Sequence, residues 1–499
     1  MSSDEELSDL LEEVSSEDTE KRKEARKEIV EIGEKVTDPL IDKLDEEAKR
    51  DRLEAARLLG RIGDPKAVEP LVESLDDPEK TIRKRAIKSL IDIGPESIDS
   101  LLDALDSQDE LVVKGTVQAL GEIGEPEIVE EIIPLLEHKS KDVRKETAKA
   151  LGLIGSREAL DHLDQALKDE EWIVRVWAAY AIGQIDPETA ETELLSEVLQ
   201  GEPNGVDKAD KIEAYKLAGK IGDSEIVDPL VDSLDDPERT VRNRAVKALV
   251  KIGEESIDSL IGVLDSDEQI VLEGAIEALG EIGSEKAVPH LIPFLYEPSV
   301  ELRKLSAQAL GKIGSSEAMD ALIEALEDEE WTVRIWACYA LGLIGNKMGA
   351  TDALMDALND PVKHVRLAAV NALGDLGSKS AVGRIQTMLK KDDEIVRMEA
   401  AHALGRIGAK RSVRSLIRAL EDNAREVRIY AALSLGRIGD KRAVSDLNKK
   451  FTDEDIELSK TVARALFEIG TEKAVRDVRK FYQRTSNQDL KEELGKILT

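Results

Sequence analysis

The sequence predicts an all-α fold, a right-handed α-solenoid (superhelix) of about 15–16 two-helix repeats of about 31 residues each. A short apolar stretch that ends in Ile-Gly or Leu-Gly recurs at intervals of 30 or 31 residues along nearly the whole chain. Each interval holds two segments whose apolar residues follow helical spacing. Because one helix pair is too small to bury its own apolar faces, neighbouring pairs must stack to complete the core.

The glycine that closes each repeat is expected to end the second helix in the left-handed conformation, which glycine adopts without a steric penalty. Asp186 replaces it once, and the interval lengthens to 36 residues from Asp186 to Gly222 and to 32 from Gly345 to Gly377. The fourteen repeat glycines are Gly33, Gly63, Gly94, Gly124, Gly155, Gly222, Gly253, Gly283, Gly314, Gly345, Gly377, Gly408, Gly439 and Gly470.

The repeat after Gly63 shows how the two helices of a pair begin. Asp64 is a suitable N-cap, and Pro65 fits the first helical position, where its missing N–H costs nothing. The Asp-Asp-Pro sequence at 76–78 breaks the first helix and caps the second, which Gly94 closes. The sequence therefore predicts two antiparallel helices in each repeat.

A block of five repeats is duplicated within the chain. Adding 159 to any position from 62 to 185 gives a matching position without a gap, and 70 of the 124 aligned pairs are identical. The irregular segment 200–210 (QGEPNGVDKAD) lies at the junction and is interpreted as an ordered turn or a hinge. The predicted divisions are an acidic leader or cap at 1–20, a first block at 21–199, this linker, a duplicated second block at 211–376, and basic C-terminal repeats with a cap at 377–499.

Aromatic residues mark a candidate partner-binding face on the second helices. In sister repeats the position of Trp177 carries a charged residue: Arg85, Glu146, Arg244 or Glu399. A position that accepts a charge is expected at the surface, and tryptophan and tyrosine are common interface anchors. The alternative is that these rings pack against the adjacent repeat. The candidate partner-binding residues are Trp172, Trp177 and Tyr180, their copies Trp331, Trp336 and Tyr339, and His402 and Tyr430.

The string V-R-x-x-A-A-x-A-L-G-x-I-G, seen at 365–377, 396–408 and 427–439, resembles the HEAT-repeat family, in particular its phycobilisome-lyase-like (PBS lyase) subtype. This resemblance implies that the second helices line a concave surface. Family members act as scaffolds, adaptors, bilin lyase subunits and, rarely, enzymes. The expected function is a non-catalytic scaffold or adaptor that binds protein partners. The alternatives are a bilin lyase or chaperone subunit that handles a prosthetic group, an archaeal chemotaxis-motility adaptor, and a HEAT-type DNA glycosylase.

Composition restricts the partners and the location. The formal net charge of −35 argues against wrapping of nucleic acid, which needs a basic surface. No apolar run approaches the length of a membrane span, and the first twenty residues contain no Lys or Arg, so no secretory signal is expected. A lone Cys338 fits a reducing cytoplasm. The acidic surface suits a salt-rich cytoplasm, as in halophilic archaea.

The C-terminal region differs in charge from the rest of the chain. Residues 378–499 hold 26 Lys and Arg against 19 Asp and Glu. Arg411, Arg414 and Arg418 follow the i, i+3, i+7 spacing of one helix face, so they form a predicted basic patch. The alternatives are ordinary surface charge and a site for an acidic protein partner, including the acidic half of another copy in head-to-tail self-association.

The residues needed for catalysis or metal binding are missing from the sequence. The five histidines have no zinc-ligand spacing, and no His-Glu dipeptide of the kind found in HEAT-type deoxyhypusine hydroxylases occurs. No cofactor and no metal site are predicted. The recurring V-R arginines are interpreted as a structural ladder that pairs with aspartates between the helices: Arg83, Arg144, Arg175, Arg242, Arg303, Arg334, Arg366, Arg397 and Arg428.

Overall fold

The computed structural model describes residues 4–16, 18–186, 191–200, 206–345, 347–452 and 454–498. Within these ranges the chain forms α-helices, 3₁₀ turns and short connections, with no strand. Within each of its two compact units, successive helix pairs stack on each other, which confirms the all-α solenoid. The chain divides into two compact units, Met1–Pro229 and Leu230–Thr499.

The even-numbered helices from α2 to α30 are the second helices of the pairs, and all but the slightly shorter α24 have 14 residues. The first unit contains α1 Asp4–Glu13, α2 Thr19–Ile32, α3 Thr37–Asp42, α4 Lys49–Ile62, α5 Val68–Glu73, α6 Lys80–Ile93, α7 Ile98–Ala104, α8 Glu110–Ile123, α9 Val129–Ile132, α10 Lys141–Ile154, α11 Leu160–Ala166, α12 Trp172–Ile185, α13 Glu191–Gln200 and α14 Lys208–Ile221.

The boundary between the units falls within α15 Val227–Asp232. The second unit continues with α16 Arg239–Ile252, α17 Ile257–Gly262, α18 Gln269–Ile282, α19 Val288–Leu291, α20 Val300–Ile313, α21 Met319–Glu324, α22 Trp331–Ile344, α23 Lys347–Ala357, α24 Lys363–Asp375, α25 Val382–Lys391, α26 Glu394–Ile407, α27 Val413–Ala419, α28 Arg425–Ile438, α29 Val444–Asn448, α30 Ile456–Ile469, α31 Glu472–Arg484 and α32 Gln488–Leu498.

The local signals of the sequence are confirmed. All fourteen repeat glycines have positive φ, between 61° and 85°, although Gly33, Gly94 and Gly253 have ψ of −144°, −141° and −129° and so are not left-handed helical. The Asp64 side chain accepts the N–H of Lys66, and Pro65 begins the first helix. The predicted cap of the second helix differs in detail. Asp77 accepts the N–H of Glu79, which precedes α6, and not an N–H of α6 itself. Of the predicted linker, residues 201–205 lie outside the described residues, Gln200 ends α13 and Lys208 begins α14.

A second glycine within the repeat string sets how closely the second helices approach. A Cβ atom at Gly121 of α8 would lie 2.6 Å from the Cα of Ala150 in α10, and one at Gly280 of α18 would lie 2.7 Å from the Cα of Ala309 in α20. Backbones that approach this closely leave no room for a methyl group. The A-L-G part of the string is therefore a helix contact, in which glycine on one helix meets alanine or serine on the next.

The predicted pairing of the ladder arginines with aspartates is confirmed in five repeats, where each arginine also binds backbone carbonyls. Arg144 donates to both carboxylate oxygens of Asp169, at 2.7 and 2.9 Å, and to the carbonyl of His138 in the preceding turn. The same bidentate pair recurs from Arg303, Arg334, Arg366 and Arg397 to Asp328, Asp360, Asp392 and Asp422. Such paired bonds hold adjacent repeats in register. The arginines are therefore structural.

Arg52 makes the same contact with Asp77, although it lacks the preceding valine and so falls outside the predicted set. Arg83 binds the carbonyls of its own turn, and the next turn carries Ser107 in place of aspartate.

Candidate functional site

The candidate aromatic residues form a ring pair on one face of α12 and a second pair on α22. The ring centroids of Trp177 and Tyr180 lie 5.5 Å apart with perpendicular planes. Those of Trp336 and Tyr339 lie 5.8 Å apart with planes inclined by 59°. Edge-to-face and tilted contacts are favoured geometries for aromatic pairs. The duplication therefore reproduces the aromatic surface, and the two copies differ in what lies against it.

Helix α14 contacts the first aromatic pair at Tyr180 and is tied to α10 by ion pairs. Helix α12 lies between α10 and α14 in the chain order of second helices, yet two ion pairs join α10 to α14 directly. The ammonium of Lys141 is 3.0 Å from the carboxylate of Asp210, and that of Lys145 is 2.9 Å from Glu213. Trp177, near the level of these contacts on α12, is only 9 % exposed. Trp177 is therefore buried within its own unit, where α10 and α14 are joined directly.

Two lysines lie over the rings of this first pair. The ammonium of Lys149 is 5.8 Å from the ring centroid of Trp177, and that of Lys220 on α14 is 5.8 Å from the ring of Tyr180. Both distances permit a cation–π attraction. The indole N–H of Trp177 is buried without a hydrogen-bond partner among the described residues. This pair is held by packing and by cations of the same unit.

The second aromatic pair keeps its rings without these lysines. Trp336 and Tyr339 are both half-buried. Gln308 occupies the position of the lysine over the tryptophan, and Asp375, which matches Lys220 in repeat register, forms an ion pair with Arg406. The cation–ring contacts of the described residues do not involve these two rings. Burial raises the pKa of Tyr339, and the nearby carboxylate of Glu399 raises it further.

The expectation that all these aromatic residues lie at the surface is wrong for Trp177, which is 9 % exposed, and for Trp172. The Trp172 side chain is 2 % exposed, and its indole N–H donates to the carbonyl of Val198 at 2.8 Å. The end of α13 packs there because the chain after Asp186 does not follow the regular repeat. Its copy Trp331 is 41 % exposed, with its ring 5.8 Å from the imidazole of His364.

A polar cluster continues the second aromatic pair along α24, α26 and α28. The amide of Asn371 donates to the carboxylate of Glu399 at 3.2 Å, and the guanidinium of Arg406 lies 2.7 Å from the same oxygen. His402 Nδ1 lies 3.6 Å from this oxygen, and its ring centroid is 5.2 Å from that of Tyr430. The two predicted residues His402 and Tyr430 are thus brought together.

A charged residue at the position of Trp177 was expected to be exposed, and this expectation is wrong for Glu146 and Glu399. Glu146 is 7 % exposed and Glu399 is 9 % exposed. Each is buried with a cation, Lys149 at 3.0 Å and Arg406 at 2.7 Å, which compensates for the lost hydration. Burial raises the pKa of Glu399 despite Arg406, and burial together with Arg406 lowers the pKa of His402.

Asn371 and Arg406 are not among the sequence-based candidates. The signal that identifies them is register. Asn371 stands at the position of Tyr180, and Arg406 stands one residue before the last apolar residue of its helix. Comparison of these two positions between repeats would have found both residues.

The predicted basic patch lies on and just before α27. Arg411, Arg414 and Arg418 are all exposed. Arg411 donates to the carbonyl of Lys379 in the preceding repeat. Ion pairs among the described residues do not include Arg414 or Arg418. Two exposed guanidinium groups are thus available to an external anion.

Other chemistry finds no support in the described part of the chain. It contains no group of three side chains that could hold a metal ion. The Cys338 thiol is buried, and burial raises its pKa to about 12, so it is a poor nucleophile. A groove of about 750 Å³ between α10 and α11 includes His138 and His162, but also the Arg144–Asp169 pair of the ladder. No described helix has both the length and the apolar character that crossing a bilayer requires.

Comparisons with known proteins agree on the repeat. The sequence profile of HEAT repeats matches eight segments that together cover nearly the whole chain: 6–91, 37–120, 98–183, 129–216, 204–280, 288–364, 351–432 and 413–498. The profile of the PBS lyase HEAT-like repeat matches residues 271–297. No curated protein sequence gives a significant match.

Solved structures share this architecture at low sequence identity. Kap95 in its complex with Nup1 is 15 % identical, with 99 % of this chain and 80 % of that chain aligned at a TM-score of 0.62. Kap121p bound to Ste12p is 12 % identical, with 99 % and 67 % aligned at 0.60. The complex of CpcE and CpcF of phycocyanin lyase from Nostoc is 24 % identical, with 46 % and 94 % aligned at 0.31. The two Kap structures support the fold alone, and the lyase structure, with a TM-score below 0.5, supports no conclusion.

Proposed function

The chain belongs to the HEAT-repeat family, and from this premise we propose that it is a non-catalytic scaffold or adaptor that binds protein partners on the face of its second helices. A cytoplasmic location belongs to the same proposal. The structurally similar Kap95 and Kap121p have been solved in complexes with Nup1 and Ste12p, which supports a solenoid of this kind as a binding scaffold.

One observation carries the proposal. Trp336, Tyr339, Asn371, His402 and Tyr430 follow one another on the second helices α22, α24, α26 and α28, and we call this set the aromatic strip. All five side chains are half-buried. A long, shallow surface with aromatic rings and polar groups resembles a protein interface more than a small-molecule pocket. The aromatic strip is therefore the proposed binding site.

Affinity capture with the full-length chain tests this proposal. Wild-type protein, Trp336→Ala and Tyr430→Ala are used as baits, and captured proteins are cross-linked and identified by mass spectrometry. Tyr296→Ala is the matched control, because Tyr296 is an exposed aromatic residue (58 %) outside the strip. We expect a set of partners that both strip variants lose and the control retains. Identical capture by all four baits would refute the strip as the binding site.

A second candidate function is a subunit of a bilin lyase or chaperone that handles a prosthetic group. The match of the PBS lyase HEAT-like repeat to residues 271–297 favours it. Protein incubated with a linear tetrapyrrole and then desalted should retain visible absorbance if this candidate is correct. A colourless product would favour the protein-binding scaffold.

A further inference from the structure

We propose that a cationic cluster on the second helices α4 and α6 binds a phosphate group, either free phosphate or the phosphorylated side chain of a partner. The cluster consists of Arg57 and Arg61 of α4 and Arg85 and Lys88 of α6. These residues belong to the first compact unit, whereas the aromatic strip belongs to the second. The inference therefore goes beyond the proposed function and does not depend on it.

The two helices that carry the cluster are in direct contact. A Cβ atom at Gly60 of α4 would lie 2.6 Å from the Cα of Ser89 in α6, and the Ser89 hydroxyl donates to the carbonyl of Ala56 at 2.7 Å. Arg57 follows Ala56, and Arg85 lies one turn before Ser89. The two arginines are close enough for the charge of Arg85 to act on Arg57.

The positive charge of the cluster has little compensation within the chain. Glu54 lies 3.8 Å from the guanidinium of Arg57, but Arg26 already holds this carboxylate with two hydrogen bonds of 2.6 and 2.7 Å. The side chains of the other three cluster residues make no ion pair and no hydrogen bond within the described part of the chain. Most of the charge is therefore available to an external anion.

Arg85 differs from the charged residues that occupy its position in other repeats. Glu146 and Glu399 stand at this position, and each is paired with a cation at 3.0 or 2.7 Å. Arg85 is half-buried without a carboxylate. The next second helix, α8, carries Gly115 at the equivalent position and so supplies no acidic group there.

Two like charges with buried, unpaired nitrogen atoms are an unfavourable arrangement in the absence of an anion. The Nε atoms of Arg57 and Arg85 are buried, and neither has a hydrogen-bond partner among the described residues. Burial lowers the pKa of Arg57, and the neighbouring Arg26, Arg85 and Arg61 lower it further, although Glu54 acts in the opposite direction. An oxyanion between the two guanidinium groups would accept their hydrogen bonds and relieve the repulsion.

The number of cations favours a phosphate group over a carboxylate. Four cations form the cluster, and the nearest acidic residue along α6, Asp92, is exposed and takes part in no described ion pair. A carboxylate would neutralise one of these charges, whereas a phosphate monoester carries about −1.5 to −2 at pH 7 and presents three acceptor oxygens. Since the whole chain has a net charge of −35 and repels anions, uptake of phosphate requires a local site of this kind.

Isothermal titration calorimetry of the full-length chain with inorganic phosphate tests the site, at constant ionic strength and without other oxyanions. We expect saturable binding that Arg57→Met and Arg85→Met each weaken by about tenfold or more, because methionine keeps an apolar stem and lacks the guanidinium. Arg157→Met is the matched control, since Arg157 is 72 % exposed and already pairs with Asp186. It should bind phosphate as the wild type does.

A phosphoserine peptide of otherwise uncharged sequence separates the two sources of the phosphate group. Matched peptides carry serine or glutamate in place of the phosphoserine. Binding that is tighter than that of inorganic phosphate would assign a phosphorylated partner, and binding that is no tighter would assign free phosphate. A glutamate peptide that binds as tightly as the phosphoserine peptide would contradict the choice of phosphate. Tighter binding of a DNA duplex would assign the cluster to nucleic acid and also contradict it.

Thermal melts distinguish a binding role of Arg85 from a structural one. A structural arginine would lower the melting temperature on removal, with or without phosphate. We expect Arg85→Met to melt no lower than the wild type in chloride, because the substitution removes a repulsive charge. Phosphate at equal ionic strength should raise the melting temperature of the wild type, and this rise should be lost in Arg85→Met. A loss of stability in chloride with the phosphate effect retained would contradict the inference.

Chemical modification of the wild-type chain decides the matter if the variants fail to fold, which circular dichroism would show. Phenylglyoxal reacts with guanidinium groups, and peptide mapping by mass spectrometry measures the extent of reaction at each arginine. Phosphate should protect Arg57 and Arg85 and leave Arg157 reactive. Absence of saturable phosphate binding, equal binding by the wild type and both variants, or equal protection of all three arginines would overturn the inference.

The second block offers a further control, because Lys216, Arg244 and Lys247 stand there at the positions of Arg57, Arg85 and Lys88. Phosphate binding that is lost in Arg244→Met and retained in Arg85→Met would place the site in the second block and contradict the inference.

Discussion

Trp177 and Trp336 hold the same position in duplicated helices, so replacing each by alanine separates packing from binding. Trp177 is 9 % exposed, and truncation of a buried tryptophan costs about 3–5 kcal/mol. We expect Trp177→Ala to lower the melting temperature and leave partner affinity per folded molecule unchanged. Trp336→Ala should cost less stability and lower affinity by about 2–4 kcal/mol. A thermal melt and a partner-binding titration of each variant check this prediction. Equal losses of stability in Trp177→Ala and Trp336→Ala would contradict it.

Asp422 gives a pH-dependent prediction for the arginine ladder. Burial opposes its ionisation, but bonds from Arg397 and from the N–H of Ala424 outweigh burial and lower the pKa of Asp422 below its ordinary 3.8. Because the pKa of Asp422 is lower in the folded state than in the unfolded state, its ionised form stabilises the fold. This stabilisation is fully present above pH 3.8 and is lost as the pH falls through the folded-state pKa.

Asp422→Asn should therefore lower the free energy of unfolding by about 1–2 kcal/mol at pH 6 and by progressively less toward pH 3. Urea unfolding at the two pH values measures the difference. Glu421→Gln is the control, because the Glu421 side chain is 73 % exposed. A loss for Asp422→Asn that is the same at both pH values would contradict the assignment.

Residue-level prediction from the sequence succeeded where the backbone alone decides the outcome. A positive φ near a helix end favours glycine, so the spacing of Gly33 and its thirteen equivalents identified every residue with positive φ in the described chain. It failed where a neighbour decides. Trp172 is buried by α13, and Glu399 is buried because Arg406 and Asn371 neutralise and bind it. A pattern of residue types along one helix does not contain these contacts.

At the scale of helices, the inner glycines of the repeat string should be intolerant of alanine. A Cβ at Gly280 would lie 2.6 Å from the Cβ of Ala309, so α18 and α20 would have to separate. We expect Gly280→Ala to destabilise the protein by about 1–3 kcal/mol. Gly383→Ala is the matched control, because a Cβ there meets nothing within 4 Å and alanine favours a helix by about 1 kcal/mol. A stabilising Gly280→Ala would contradict the close contact.

The helix pairs were predictable from the sequence, whereas the placement of α14 was not. Except at Asp186, each repeat carries the same local signals: a cap, an apolar stripe and a terminal glycine. The two ion pairs between α10 and α14 join residues that are 69 and 68 positions apart in the chain. Their formation depends on the irregular interval after Asp186, whose geometry no periodic pattern specifies. As a result, the duplication predicted two equivalent aromatic faces, while in the described structure Trp177 is buried and Trp336 is half-buried.

For the molecule as a whole, the basic patch predicts a charge-dependent association. Arg414 and Arg418 are exposed, and their repeats belong to the region with an excess of bases. Reversing Arg411, Arg414 and Arg418 to glutamate should abolish any salt-sensitive association with an acidic protein or with the acidic part of another copy. Sedimentation at low and high salt measures this, and an unchanged profile would leave the patch as ordinary surface charge.

The net charge of −35 makes a prediction about salt, because like charges on a folded chain repel each other. Screening shortens the Debye length from about 30 Å at 0.01 M to about 8 Å at 0.15 M and about 3 Å at 1 M. The bidentate Arg–Asp pairs of the ladder are screened less, since side chains such as Arg144 and Asp169 are only 8 and 10 % exposed. We therefore expect the melting temperature to rise with KCl.

The shape of that rise distinguishes two causes. If simple screening dominates, most of the increase should occur below about 0.15 M, where the Debye length falls fastest. If the acidic surface is an adaptation to a salt-rich cytoplasm, stability should keep rising to 1 M and beyond, because further salt then acts on hydration and ion binding at the carboxylates. Sucrose at matched osmolality controls for general exclusion of solutes from the surface. A melting temperature that is flat or falls across the whole range would refute both causes.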